Sequence, residues 1–309
     1  MFIQFSWLVS ILVAVLAPML FIAIFFLVRQ TLGRNIPRAW NVAVIGFPKA
    51  GKTTLITRLF GELFAGKLKI QTIIRGKTTI EKINEDLRRL EVGRNLGPTT
   101  DQDLFAYRTD ITLGQGILKK TYKIQIGDFP GEASEKLAYE TEMWFHDTEF
   151  FKWVMEADAF LFVVDLAPML DYRTNRDYVA RVKSAIRAAW QHIEEYYSEG
   201  KTDLRYRPVG LVFTKADLFA HSTVVAIDDD VIRKIERLGF GDDKVFFIKP
   251  LTEDELKEGG NYTKDQFEDL ISYLNTKVRK MNVIFTSSFS YFNGERLGIK
   301  ETLETILPS

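Results

Sequence analysis

The sequence contains no cysteine and only 3 histidines in 309 residues. Without thiols there can be no disulfide framework, Zn-thiolate site, iron–sulfur cluster or cysteine nucleophile, and so few histidines argue against a histidine-rich metal centre. An excess of one charge is also lacking, because 41 basic side chains face 41 acidic ones. A neutral chain has no overall attraction for a polyanion, so no nucleic-acid partner is expected. The 46% hydrophobic and 27% charged residues are typical of a globular protein with one large or two small domains.

Charged residues are absent from residues 1–28. The apolar stretch Trp7–Val28 would extend about 33 Å as a helix, which is enough for a hydrocarbon core of about 30 Å. We therefore predict a transmembrane anchor in residues 1–28, with Pro18 tolerated inside it. A cleaved signal peptide and a buried core helix are the alternatives. A signal peptide would begin with a charged n-region, which this sequence does not have, and a buried core helix usually has a polar stripe, which this stretch does not have.

Basic residues follow the apolar stretch at once, at Arg29, Arg34 and Arg38. The positive-inside rule then places the following residues in the cytoplasm, at a bacterial inner membrane or an endoplasmic reticulum membrane. Residues 29–40 are interpreted as a basic juxtamembrane linker, and residues 41–309 as one tethered domain, since no second spanning stretch occurs.

A phosphate-binding pattern follows the first predicted strand, Asn41–Ile45. Residues Gly46–Thr53 fit G-x-x-x-x-G-K-[ST] and lead into a helical stretch over residues 54–64. The chemistry needs this order, because backbone N–H groups of a tight loop and the positive end of the next helix converge on phosphates. Lys52 would reach the β- and γ-phosphates, and the Thr53 hydroxyl would bind Mg²⁺. The alternative is a glycine-rich turn with a surface lysine.

A second pattern, D-x-x-G, begins at Asp128 at the end of a predicted strand over residues 119–126. A carboxylate at this position can hold the Mg²⁺ shell, and the N–H of Gly131 can sense a γ-phosphate. The pattern alone is a weak turn signal, but its position one strand after the phosphate loop makes it informative.

A third pattern lies beyond a predicted buried strand over residues 159–166 and a helical stretch over residues 175–197. The predicted strand Val209–Phe213 enters Thr214-Lys215-Ala216-Asp217. One carboxylate, that of Asp217, can accept both N1–H and the exocyclic amine of guanine, and adenine cannot offer that pair. The alternative is an ordinary turn capped by Asp217.

A last predicted strand, residues 282–285, runs into a polar loop, Thr286-Ser287-Ser288. This loop could present backbone N–H groups to the guanine oxygen.

With these four ordered motifs, residues 41–308 resemble the Ras-like small GTPases of the translation-factor-related P-loop class. The resemblance implies a three-layer α/β sandwich with a mostly parallel sheet, binding GTP or GDP with Mg²⁺. It implies nucleotide contacts from Gly46, Lys49, Ala50, Gly51, Lys52, Thr53, Thr54, Thr214, Lys215, Asp217, Ser287 and Ser288. It implies that Thr53, Thr100 and Asp128 are metal ligands. It also implies catalytic roles for Lys52, Thr100, Gly131 and Glu132.

The layout of an N-terminal membrane helix followed by such a domain looks like the membrane-anchored β subunit of the signal-recognition-particle receptor. Prokaryotic membrane-tethered GTPases of defence or secretion systems would have the same layout. The predicted function is a membrane-anchored GTP switch with slow hydrolysis and a protein effector or receptor as partner. The alternatives are a constitutively GTP-loaded scaffold and an ATPase subunit of a membrane secretion machine.

The sequence departs from the compact family pattern in three places. Residues 66–98 are interpreted as a helical insertion before the first switch, with a capping box at Thr78-x-x-Glu81. This helix would pack on the domain or serve as a docking surface. The switch threonine is Thr99 or Thr100, with Thr100 favoured.

The second departure is Glu132, which stands where the family usually has glutamine, and the third is the concentration of aromatic residues after it. The nearby aromatics Trp144, Phe145, Phe150, Phe151 and Trp153 either pack inward or form a patch that nucleotide exchange exposes.

Overall fold

The computed structural model describes residues 14–27, 38–66, 70–91, 96, 105–113, 119–129, 149–170, 175–198, 203–222, 251–288, 291–292 and 294–308. The described helices are α1 (14–27), α2 (Lys52–Phe64), α3 (Lys77–Glu91), α4 (Glu149–Met155), α5 (Leu166–Leu170), α6 (Asn175–Ser198), α7 (Phe219–Ser222), α8 (Glu253–Gln266), α9 (Glu268–Lys277) and α10 (Ile299–Ile306). The described strands are β1 (Arg38–Gly46), β2 (Gln71–Arg75), β3 (Phe105–Leu113), β4 (Lys120–Asp128), β5 (Ala159–Asp165), β6 (Val209–Thr214), β7 (Met281–Phe285), β8 (Tyr291–Phe292) and β9 (Glu295–Arg296).

Seven strands form one sheet in the order β2-β3-β4-β1-β5-β6-β7, and β8 pairs with β9 in a separate ribbon. Strand β3 is antiparallel to both of its neighbours, whereas β4, β1, β5, β6 and β7 pair in parallel. The central strands β5 and β6 are buried along their whole length, as a parallel sheet covered on both faces requires. The expected mixed α/β fold with a mostly parallel sheet is therefore confirmed.

Two hydrophobic cores lie on opposite faces of the sheet. One contains Phe160, Phe162 and Trp190 and joins the sheet to α4, α6, α8 and α9. The other contains Phe60 and Leu161 and joins the sheet to α2, α3 and α10. Because side chains alternate along a strand, neighbouring residues such as Phe160 and Leu161 enter different cores.

The predicted strands and helices differ from the observed ones by a few residues at their ends. Strand β2, which pairs with β3 from residue Gln71 onward, was not expected from the sequence. The amphipathic helix expected in this region is α3, with Ile83 and Leu90 buried. The predicted capping box is wrong, because α3 begins at Lys77 and Thr78 is already inside its first turn. Glu81 instead forms an ion pair with Lys77 at 3.7 Å.

A capping box that was not predicted begins helix α8. The Thr252 hydroxyl accepts a hydrogen bond from the Glu255 amide at 3.3 Å, and the Glu255 carboxylate accepts one from the Thr252 amide at 3.0 Å. The aromatics expected to pack inward do so where they are described: Phe150 and Phe151 are buried. The Trp153 indole N–H donates to the Val42 carbonyl at 3.0 Å. Trp144 and Phe145 lie outside the described residues.

The predicted membrane span is described over α1 only. Among the residues that the structure describes, none of the helices is both long and apolar enough to cross a bilayer.

Candidate nucleotide site

The loop between β1 and α2 is a tight turn built on unusual backbone angles. Lys49 and Gly51 have φ values of 63° and 83°, and the Ala50 amide donates to the Phe47 carbonyl at 3.2 Å. Gly46 is needed for close packing, because a Cβ there would lie 2.4 Å from the Val163 carbonyl oxygen. These turns direct the chain into the N-terminus of α2, the helix end that favours anions.

The Lys52 side chain lies over this loop and is buried. Its ammonium group donates to the carbonyl oxygens of Gly46 at 2.9 Å and Phe47 at 3.1 Å. Lys49 is exposed, and Thr54 is half-buried in the first turn of α2. The predicted phosphate lysine is thus held within the loop where the anion would bind.

Thr53 and Asp128 are brought together from positions 75 residues apart. The Thr53 hydroxyl donates to Asp128 Oδ1 at 3.2 Å, and Asp128 Oδ2 is buried with no hydrogen-bond partner in the described part of the chain. Burial raises the pKa of Asp128 to about 6, and the Thr53 hydrogen bond and the Lys52 charge oppose this rise. A buried carboxylate oxygen without a partner, beside a hydroxyl, offers the oxygen ligands that Mg²⁺ prefers, so Thr53 and Asp128 fit the ion.

Further polar groups lie behind Asp128, and no sequence pattern indicates them. Burial and the nearby charges of Asp128 and Asp86 raise the pKa of Tyr107. The Thr57 hydroxyl, which is also buried, lies beside the Tyr107 hydroxyl and opposes this rise. Lys82 pairs with Asp86 at 3.5 Å and also lowers the pKa of Asp128. Helix α3 therefore contributes charge to the surroundings of the predicted metal ligand.

Thr214 connects the phosphate loop to the β6 end of the sheet. Its hydroxyl is hydrogen-bonded to the carbonyl of Ala50 at 2.7 Å and lies 3.2 Å from that of Val164. This links the loop to the two strands β5 and β6. Thr214 therefore holds the phosphate loop against the ends of β5 and β6, a role that the sequence motif did not indicate.

Lys215 adopts a left-handed backbone with φ 62° and pairs through Nζ with Asp165 at 2.5 Å. Asp165 ends strand β5 in register with Thr214, and its carboxylate also accepts the Ala167 amide at 2.9 Å. From the sequence alone, Asp165 is only part of the predicted strand over residues 159–166. The register of two parallel strands turns it into the partner of Lys215.

Asp217 contacts the last predicted motif, the loop over residues 286–288. The Ser287 hydroxyl donates to Asp217 Oδ1 at 2.6 Å, and Ser287 is fully buried. The Ala216 amide donates to the Thr286 carbonyl at 3.0 Å, and the Ser288 carbonyl accepts from Arg296 at 2.8 Å. The loops after β6 and β7 therefore form one unit, in which the Asp217 carboxylate has a fixed orientation.

Four predicted residues cannot be placed, since Thr99, Thr100, Gly131 and Glu132 lie outside the described residues. The other predicted contacts lie at the carboxyl ends of the parallel strands, in the loops that follow them or in the first turn of α2. Ligands bind at this edge in open α/β sheets.

A phosphate loop at the end of β1, a carboxylate at the end of β4 and a T-K-x-D turn after β6 define a P-loop GTPase. The family model for Double-GTPase 2 matches residues 41–271, about three-quarters of the chain, and the chain belongs to this family. The match ends before β7, so the Thr286–Ser288 loop and helix α10 lie beyond it. No curated protein matches this sequence.

Proposed function

We propose that this protein is a membrane-anchored switch that binds GTP with Mg²⁺, hydrolyses it slowly to GDP and signals to a protein partner. The observation that carries the nucleotide part is the pairing of Thr53 with Asp128 and of Asp217 with Ser287 at one edge of the sheet. The first pair suits the metal and phosphate end of a nucleotide, and the second suits a guanine base. The GTPase family of the chain supports the same conclusion.

At the phosphate end, Lys52 would exchange its two loop carbonyls for β- and γ-phosphate oxygens. Thr53 and Asp128, with Thr100 as a further ligand, would hold Mg²⁺. When bound, this ion neutralises the charge that develops on the phosphates. Gly131 would sense the γ-phosphate through its amide.

At the base end, Asp217 would accept hydrogen bonds from guanine N1–H and the exocyclic amine. The Ser287 hydroxyl occupies only one lone-pair direction of Oδ1, so both carboxylate oxygens keep acceptor capacity. Lys215, held by Asp165, would lie along the base.

Base selection is tested by nucleotide competition on the purified full chain. We expect labelled GTP to be displaced by GTP and GDP but not by ATP. Asp217→Asn should weaken GTP binding by several kcal/mol and permit xanthine nucleotide, because the amide replaces an acceptor by a donor. Asp254→Asn, an exposed helix position, is the matched control. Equal affinity for GTP and ATP in the unmodified protein would refute the assignment.

Two functions, a GTP switch and a constitutively GTP-loaded scaffold, are distinguished by identifying the nucleotide that copurifies with the protein and measuring its exchange. A switch should exchange GDP for GTP and bind its partner in one state only. A chain that holds GTP without turnover or exchange through purification would instead be a scaffold.

Membrane anchoring is proposed from residues 7–28. Along α1, ten large apolar side chains are exposed, from Phe26 at 39% to Phe21 at 73%. Apolar surface of this extent on a helix is costly in water and favourable in a bilayer. The basic residues Arg29, Arg34 and Arg38 would keep the GTPase domain on the cytoplasmic side.

A further inference from the structure

Strand β7 is the last strand of the sheet in the part of the chain that the structure describes. Its outer side faces a groove of about 780 Å³ between α10 on one face of the sheet and the junction of α8 and α9 on the other. The groove is separate from the phosphate loop and from Asp217.

The backbone polar groups of β7 alternate between its neighbour and the groove. The Lys280 carbonyl accepts from the Val209 amide, and the Thr286 amide donates to the Phe213 carbonyl, so even-numbered residues of β7 face β6. In a parallel pair each residue directs both backbone groups to one side. Met281 and Val283 therefore direct their N–H and C=O groups into the groove, where an additional strand could pair with them.

The walls of the groove carry acidic side chains on both faces. Glu301 and Glu304 lie on α10, and Asp265 and Glu268 lie where α8 meets α9; all four are exposed. None of these four carboxylates forms an ion pair with another described residue.

The basic residues of the groove do not balance these carboxylates. Lys264 and Lys280 also line it, and the Lys280 ammonium donates to the Glu304 backbone carbonyl at 3.0 Å. Within the described part of the chain, the groove thus combines strand-pairing groups that no other strand occupies with an excess of negative charge.

We propose that the β7 edge binds an extended, basic segment of a protein partner as an added strand. Its backbone pairs with Met281 and Val283, which supplies affinity for any extended chain. Because its side chains alternate between the two faces, basic residues on one side reach Glu301 and Glu304, and those on the other side reach Asp265 and Glu268. Charge complementarity therefore selects lysine- or arginine-bearing segments over acidic ones.

The probe is a fluorescent peptide of sequence Lys-Lys-Val-Val-Lys-Lys, which places lysines on both faces of an added strand. It is titrated with the full chain while anisotropy is measured. We expect saturable binding that weakens with added salt. A peptide with glutamate in place of lysine should not bind. A lysine peptide with alternate N-methylated amides should bind at least about 10-fold more weakly, because it cannot pair with the strand edge.

The acidic wall is tested with Glu301→Gln combined with Glu304→Gln, which should weaken peptide binding by about 2- to 10-fold. The matched control is Glu253→Gln with Glu258→Gln on α8. Each pair removes one glutamate from a first helical turn and one from a later position, but the control pair lies outside the groove.

The strand edge is tested with Val283→Pro, which removes an N–H that faces the groove and leaves the bonds between β6 and β7 in place. Thermal unfolding shows whether the variant is folded, and the N-methylated peptide tests the same contact without a mutation. Absence of binding of the lysine peptide, equal binding of the glutamate peptide, or unchanged affinity of the N-methylated peptide would each overturn the proposal. A concentration-dependent dimer that Val283→Pro dissociates would also overturn it, since a second copy would then occupy the edge.

Discussion

Asp128 is a carboxylate that folding removes almost completely from water, with 1% of its surface exposed. Its pKa rises from an ordinary value of 3.8 to about 6 because burial penalises the charged form. In the protein without nucleotide, the stability that this carboxyl contributes is fully present below pH 3.8 and is lost as the pH rises through about 6. A bound divalent cation would reverse this penalty.

We therefore expect Asp128→Asn to stabilise the nucleotide-free protein at pH 8 by roughly 1–3 kcal/mol, because an amide carries no charge to desolvate. The gain should vanish toward pH 4. The same variant should lose most of its Mg²⁺-dependent nucleotide affinity. Urea unfolding at the two pH values, with and without Mg-GTP, measures both effects. A stability change that is independent of pH would contradict the assigned cause.

Glu132 is the residue on which the rate of hydrolysis depends in our proposal. An ionised glutamate can accept a hydrogen bond from the attacking water but cannot donate to the transferring phosphoryl group, and it adds negative charge there. Partner-free turnover should then be at or below about 10⁻³ s⁻¹.

Single-turnover hydrolysis by Glu132→Gln separates two mechanisms. Unchanged or faster turnover is expected if the charge is inhibitory. If Glu132 acts instead as a general base with a raised pKa, the substitution should abolish turnover. Fast hydrolysis in the unmodified protein that this substitution removes would contradict our version.

At the scale of elements, the residue that precedes helix α10 fixes the Thr286–Ser288 loop. Gly298, which precedes α10, has φ 71°, and a Cβ there would lie 2.1 Å from the Phe285 carbonyl oxygen at the end of β7. Thr286 and Ser287 follow directly, so this contact sets the position of the loop that meets Asp217. At the other end of α10, the Trp40 indole N–H donates to the Ile306 carbonyl at 2.7 Å.

Gly298→Ala should destabilise the protein by at least about 2 kcal/mol more than Gly294→Ala. Both glycines have positive φ, and this strain alone costs roughly 1 kcal/mol in an alanine. Only the Cβ at position 298 meets backbone, because an added Cβ at Gly294 has no described atom within 4 Å. Thermal unfolding compares the two variants, and GDP affinity should fall for Gly298→Ala alone. Equal effects of the two variants would show that the contact with Phe285 is unimportant.

At the scale of the whole molecule, the proposed membrane anchor predicts behaviour that does not depend on the GTPase domain. The full chain should stay in the membrane pellet after alkaline extraction, and protease added to intact cells should spare residues 39–309. Phe21→Arg should reduce membrane insertion, because an arginine near the centre of a span costs about 2.5–3.5 kcal/mol. Phe21→Leu is the control. Release of the unmodified chain as a soluble protein would refute the anchor.

The local sequence was enough to predict the elements that carry the site. Residues 42–45 and 209–213 are apolar apart from a glycine, and each run leads into a polar motif, so strand and site were indicated together. Such signals are local because a strand and the loop at its carboxyl end are consecutive in the chain. This is why Lys52, Asp128 and Asp217 could be named before the fold was known.

Only the tertiary structure decided which distant segments of the chain are in contact. The pairing of Lys215 with Asp165 depends on the register of β5 and β6, and the polar group formed by Asp86, Tyr107 and Asp128 depends on where α3 packs. The position of β7 as the outermost of the described strands likewise follows from strand order. The sequence determined which side chains are available for chemistry, because motifs are local. Folding determined their partners, burial and pKa values, because these depend on neighbours that are remote in the chain.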